Sequence, residues 1–120
     1  MTRPLCLITG ASSGIGAACA RHAAAAGYDL ILTYAQDRTG AEATAKDCET
    51  LHATVQIYQV DVTDPAAIAA LFELVDATGP LAALVNNAGI VGPATRASGL
   101  DHARLRQMFD VNVIGAMLVA

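Results

Sequence analysis

The residues with the plainest chemistry are Thr9-Gly10-Ala11-Ser12-Ser13-Gly14-Ile15-Gly16, between an apolar run and an alanine-rich stretch. A loop in that position can hold a pyrophosphate. The first N–H groups of a helix have no partner, and the dipole there is positive, so a helix start attracts phosphate. Glycines let the backbone turn tightly and approach an anion without a Cβ in the way. In this arrangement Gly10 makes the turn, Gly14 permits the close approach, and Gly16 lets the helix pack on the strand. Ser12 and Ser13 add hydroxyl donors. The alternative is an ordinary glycine-rich turn between a strand and a helix. Gly-x-x-x-Gly-x-Gly has one more residue between its first two glycines than the common dinucleotide fingerprint. No Lys-Ser/Thr pair follows, so it is not a Walker loop.

Further polar residues stand where apolar runs end. Asp61-Val62 follows the run 55–60, and Asn86-Asn87-Ala88-Gly89 follows the run 81–85. Asn112 lies inside an apolar helical pattern, where a polar side chain costs stability unless it is paired. Cys6, Cys19 and Cys48 show neither metal spacing nor a disulfide framework and read as buried or half-buried thiols. His22, His52 and His102 read as surface helix positions. No metal site is expected.

The elements that must position these residues alternate. Short apolar runs at 5–9, 30–34, 55–60 and 81–85 read as strands, and helical patterns cover about 14–26, 39–51, 65–77 and 99 to the end. Gly27 is a stop signal for the first helix. Asp64 suits an N-cap with Pro65 in the first turn of the third. Strands alternating with helices predict βαβ units and a parallel sheet. The strands are continuously apolar, as expected when both faces are covered. Right-handed crossovers would put helices on both sides. The fold class is therefore α/β, a doubly wound parallel sheet of about four strands with flanking helices. The final segment, Gly115–Ala120, carries no helix stop signal, so the expectation is a chain that continues further.

Composition narrows the function classes. The chain has 120 residues, 54% hydrophobic and 15% charged, with a formal net charge of −4. That supports one folded domain and argues against disorder. Lys and Arg form no cluster, which speaks against nucleic acid and against an anionic membrane surface as partners. No apolar run approaches the ~18–20 residues of a spanning helix. The start lacks the longer apolar stretch of a signal peptide, so a cytoplasmic protein is expected.

Thr9-Gly10-x-x-x-Gly14-x-Gly16 after the first strand resembles the cofactor signature of the short-chain dehydrogenase/reductase family. Asp61-Val62, Asn86-Asn87-Ala88-Gly89 and Asn112 in Val111-Asn112-Val113-Ile114-Gly115 match further family motifs in the same order. The resemblance covers essentially the whole chain. It implies a Rossmann fold with residues 1–120 as the N-terminal portion of an NAD(P)-binding domain. It implies strand order 3-2-1-4, with ligand bound beyond the carboxyl ends of the strands. It also implies a nicotinamide-dependent oxidoreductase acting on a small carbonyl or alcohol substrate. The local look of residues 91–96 is similar to sugar dehydrogenases and 3-oxoacyl reductases of the family. Homo-oligomers, dimers or tetramers, are implied for the full-length form.

Carried over residue by residue, Ile15 would lie near the pyrophosphate through its backbone, with its side chain in the core, and Asp61 and Val62 would contact the adenine, the alternative for Asp61 being a helix-capping or loop carboxylate. Asn87, Ala88 and Gly89 would run past the ribose, and Asn86 or Asn87 would tie the strand to its neighbours. Asn112 would be the catalytic-type residue, holding a water of a proton relay, the alternative being a satisfied structural Asn. An acidic residue ending the second strand would bind the ribose 2′-OH and select NAD. Here Tyr34 holds that place, Asp37 comes late and Arg38 stands beside it. A guanidinium holds a 2′-phosphate. The residues favour NADP(H), and Asp37 keeps NAD(H) open.

The family's general acid/base is a Tyr with a Lys four residues later, which brings the phenol toward working pH. Four residues after Tyr28, Tyr34 and Tyr58 stand Leu32, Arg38 and Val62, and Lys46 is the one lysine. The catalytic Ser, Tyr and Lys therefore have no match in these 120 residues, and this chain alone is expected to be inactive. Two other readings compete with an oxidoreductase parent. One is a non-catalytic dinucleotide-binding or sensing module. The other is a partner that pairs through an exposed fourth strand. Asn112 favours the enzyme.

Overall fold

A computed structural model describes residues 3–89, 102–103, 106 and 116–119. The element order is β1 (Leu5–Ile8), α1 (Gly14–Ala25), β2 (Asp29–Tyr34), α2 (Arg38–Glu49), β3 (Val55–Gln59), α3 (Pro65–Thr78) and β4 (Leu81–Val85). A helical turn follows at Ala116–Val119. The four strands form one sheet in the order β3-β2-β1-β4. Every pairing is parallel: Leu5 to Ile8 of β1 lie against Asp29 to Leu32 of β2, and Leu30 to Tyr34 of β2 against Val55 to Gln59 of β3. The expected strand order and α/β alternation hold.

Both faces of the sheet are covered, which is why its central strands β1 and β2 are mostly apolar. Successive strand residues point to opposite faces. Cys6, Ile8, Leu30 and Leu32 enter a core with Ala20 and Ala24 of α1 and Ala45 and Cys48 of α2. Leu5, Leu7 and Ile31 enter a second core with Ile68, Leu71 and Val75 of α3, and with Val119. The small side chains of α1 bring that helix close to the sheet.

Local signals explain the boundaries. Asp37 caps α2 by accepting from Gly40 N (2.8 Å), and Asp64 caps α3 by accepting from Ala66 N (3.0 Å). Pro65 stands at the start of α3, as its fixed φ and missing donor suit. Gly27 follows α1 with φ +101. Arg3 ties the base of the sheet together. Its Nη2 donates to the Ala24 and Tyr28 carbonyls (2.7 and 2.9 Å), and its Nε lies 3.2 Å from Asp29 Oδ1. Several boundaries differ from the sequence reading by one or two residues. β1 ends at Ile8, and Thr9 turns its hydroxyl to the segment after β4, where Asn87 N and Ala88 N donate to it. α2 begins at Arg38 and ends at Glu49, because Asp37 caps it one residue earlier than the apolar pattern indicates.

Candidate functional site

The carboxyl ends of all four strands open into one cavity of about 870 Å³. From the first strand's loop it is lined by Gly10, Ser12 and Ser13. From β2 and its exit come Thr33 to Asp37, from the end of β3 Val60 to Thr63, and beyond β4 Ala88 and Gly89. His102, Ala103 and Arg106, all helical and exposed, form the remaining wall.

The glycine loop is built from three different constraints. Gly10 has φ +68, and a Cβ there would lie 2.9 Å from Ala88 Cα. Gly16 is set by packing, since a Cβ would meet the Gly10 carbonyl oxygen at 2.1 Å and Asn87 Nδ2 at 2.6 Å. Gly14 has φ +60 with nothing within 4 Å of the Cβ position, so the space beside it is open. The start of α1 is also uncapped: Ser13 has extended backbone and its side chain makes no cap hydrogen bond. Asp37 and Asp64 cap the other two long helices. An open approach at Gly14 and an uncapped positive helix end fit a bound pyrophosphate.

Behind the loop, Thr9 does what the sequence did not reveal. It is fully buried, and its Oγ1 accepts from Asn87 N and Ala88 N, both at 3.0 Å. Asn87 Nδ2 in turn donates to the Gly10 carbonyl (3.1 Å). Asn87 therefore makes the expected kind of tie between the fourth strand's end and its neighbour, with Thr9 as its hub. A hydroxyl in place of a methyl is the signal that could have marked Thr9, since a buried Thr at a strand end needs partners.

Ile15 corrects an expectation. Its side chain is 74% exposed and does not enter the core. The buried stripe of α1 is Gly16, Ala17, Ala20 and Ala24, which leaves Ile15 on the opposite side of the helix. Ser12 differs too. Its hydroxyl donates to the Asp37 carbonyl (2.8 Å), so that proton is committed to the protein although the residue lines the cavity.

At the end of β3, Val62 is buried and Asp61 exposed, and both line the cavity. Asp61 Oδ1 accepts from Thr63 N (2.9 Å) and Thr63 Oγ1 (2.6 Å). Those hydrogen bonds hold its carboxyl below the usual aspartate range, against a small opposing effect of burial. Its charged form is fixed in orientation, an acceptor facing the cavity.

At β2, buried Tyr34 lines the cavity with Gln36 and Asp37. Arg38 does not line it. Its Nε pairs with Glu42 Oε1 at 2.7 Å along α2. Arg38 is raised above its ordinary value, first by the Glu42 hydrogen bond and next by Tyr34. Asn112 and residues 91–99 lie outside the described residues. Among the described residues there is no group of His, Cys, Asp and Glu that could hold a metal, and no helix long and apolar enough to cross a membrane.

The arrangement matches known proteins. The short chain dehydrogenase family model covers residues 4–120. The uncharacterized oxidoreductase YohF of Escherichia coli (strain K12) is 37% identical over 115 residues, covering 93% of this chain and 44% of that protein. Sulfoacetaldehyde reductase 2 of Chromohalobacter salexigens is 37% identical over 116 residues, 94% of this chain and 44% of its own. The solved structure of acetoin dehydrogenase YohF from Salmonella typhimurium superimposes with a TM-score of 0.86 at 31% identity, over 98% of this chain and 47% of that one. The chain thus spans a little under half the length of the relatives it matches. With its parallel sheet, glycine loop and cavity, it belongs to the short chain dehydrogenase family.

Proposed function

We propose that residues 1–120 form the cofactor-binding portion of an oxidoreductase that moves a hydride between NADP(H) and a small carbonyl or alcohol substrate. The observation that carries this is the uncapped start of α1, where Ser13 lines the strand-end cavity and the space beside Gly14 is open. Gly10, Gly14, Ile15 and Gly16 would hold the pyrophosphate through backbone groups, with Ser12 and Ser13 lining its path. Asp61 and Val62 would receive the adenine, Asp61 as an acceptor for its exocyclic amine. Ala88 and Gly89 would pass the ribose, steered by Asn87. The bound nicotinamide supplies the hydride chemistry. Asn112 would hold a relay water, and the proton-transferring Tyr and Lys would come from outside these residues.

NADP(H) is favoured because Arg38 follows the end of β2, within electrostatic reach of Tyr34, while one oxygen of Asp37 is taken by the cap of α2. The Arg38–Glu42 pair is exposed, and such pairs cost little to exchange for a phosphate. One observation favours NAD(H) instead: Asp37 lines the cavity and Arg38 does not. The relatives named for sulfoacetaldehyde and acetoin suggest a small polar carbonyl or hydroxy-ketone, beside the 3-oxoacyl and sugar types. The whole protein would be a cytoplasmic dimer or tetramer. The test is NADPH consumption by the protein as its gene encodes it, against a panel of small aldehydes, ketones and 3-oxoacyl thioesters. Turnover with NADPH supports the reading. Tight NADPH binding without turnover on any of them would favour the sensing module.

A further inference from the structure

Gly40 lies in the first turn of α2, three residues after the cap Asp37. Glycine is a poor helix former, and Gly40 is not among the glycines with positive φ, so the backbone conformation does not require it. Space does. A Cβ at Gly40 would lie 2.3 Å from Asp37 Oδ2 and 2.5 Å from the Ser12 carbonyl oxygen. The missing Cβ lets the glycine loop press on α2 and lets the Asp37 carboxylate fold back to accept from Gly40 N at 2.8 Å. The Ser12 hydroxyl closes the contact by donating to the Asp37 carbonyl at 2.8 Å. Ser12 and Asp37 both line the cavity, and Gly40 does not.

Asp37 is the carboxylate nearest the end of β2, where an acceptor binds a ribose 2′-OH and repels a 2′-phosphate. We propose that Gly40 is a specificity-determining position: by lacking a Cβ it keeps Asp37 as the cap of α2, and so keeps that carboxylate from the 2′ side of the dinucleotide. Gly40 is a positioning residue that acts through Asp37 and Ser12. The inference rests on the dinucleotide reading above.

The test compares dissociation constants for NADPH and NADH by calorimetric titration, with melting temperatures, in the protein as its gene encodes it. Gly40→Ala displaces the carboxylate and should move the NADPH-to-NADH preference toward NADH by about tenfold, the scale of one charge-assisted hydrogen bond. Ser12→Ala should move it the same way by less. Adding Asp37→Asn to Gly40→Ala should restore the NADPH preference, because Asn carries no charge to repel a 2′-phosphate. A loss of fold would weaken both cofactors equally. An unchanged ratio in Gly40→Ala, or no rescue by Asp37→Asn, overturns the proposal. If Gly40→Ala does not fold, the ratio in Ser12→Ala decides in the same way. A wild-type protein that binds neither cofactor sinks the dinucleotide reading itself. A wild type that binds with an immovable ratio sinks only the role of Gly40.

Discussion

Gly14 and Gly16 stand two residues apart and are glycine for different reasons, which two substitutions can separate. At Gly16 an added methyl meets the Gly10 carbonyl and the Asn87 amide, so Gly16→Ala overpacks the helix–loop contact. It should lower stability by about 1–3 kcal/mol, read as a drop in melting temperature. At Gly14 the space is open and only the left-handed backbone is strained, for about 1–2 kcal/mol. If a pyrophosphate occupies that space, Gly14→Ala should lose far more dinucleotide affinity than its stability cost explains. Asp61 offers a pH test at the same scale. Its folded-state value is depressed by Thr63, so its contribution is fully present above the ordinary aspartate range and fades as pH falls through the lower folded value. A carbon NMR titration of its carboxyl should give a midpoint below the ordinary value, and Thr63→Val should raise it. A midpoint that ignores Thr63→Val would contradict the cause assigned here. The glycine spacing, Asp61 and Asn87 were legible in the sequence because each is a polar or flexible residue at the end of an apolar run. The outward turn of Ile15 was not, since its apolar nature points to a core that its helical phase misses.

The helices differ in how their starts are satisfied. Asp37 and Asp64 cap α2 and α3, whereas Ser13 leaves α1 open. Asp64→Ala should therefore cost about 0.5–2 kcal/mol in chemical denaturation, with Asp64→Asn close to wild type. The cap at Asp64 was readable from the Asp-Pro pair. The cap at Asp37 was not, because the same carboxylate could equally be a ribose ligand, and only the folded position of Gly40 decides which hydrogen bond it makes. Element types and order followed from continuous apolar runs broken by glycine and proline. Boundaries shifted by one or two residues where a side chain, Thr9 or Asp37, took a backbone partner instead.

At the scale of the molecule, the sheet carries helices on both faces, yet among the described residues nothing pairs with the outer edge of β4. Leu84 is 37% exposed there, and Ala82 is exposed as well. An apolar edge with free N–H and C=O groups invites pairing. A protein of these 120 residues alone should self-associate with rising concentration in sedimentation velocity, and Ala82→Lys should suppress it. A chain that stays monomeric without the lysine would show that the edge is protected. The relatives' length was invisible in the residues themselves, but the parallel topology made the exposed edge foreseeable.

The central claim is that the strand-end cavity holds a nicotinamide dinucleotide with its pyrophosphate on α1. Calorimetric titration of the protein with NADPH, repeated on Gly14→Ala, tests it most directly. The account predicts saturable one-to-one binding in the wild type and its loss in a Gly14→Ala protein that remains folded. Equal binding in both, or none by a folded wild type with NADPH or NADH, would contradict it.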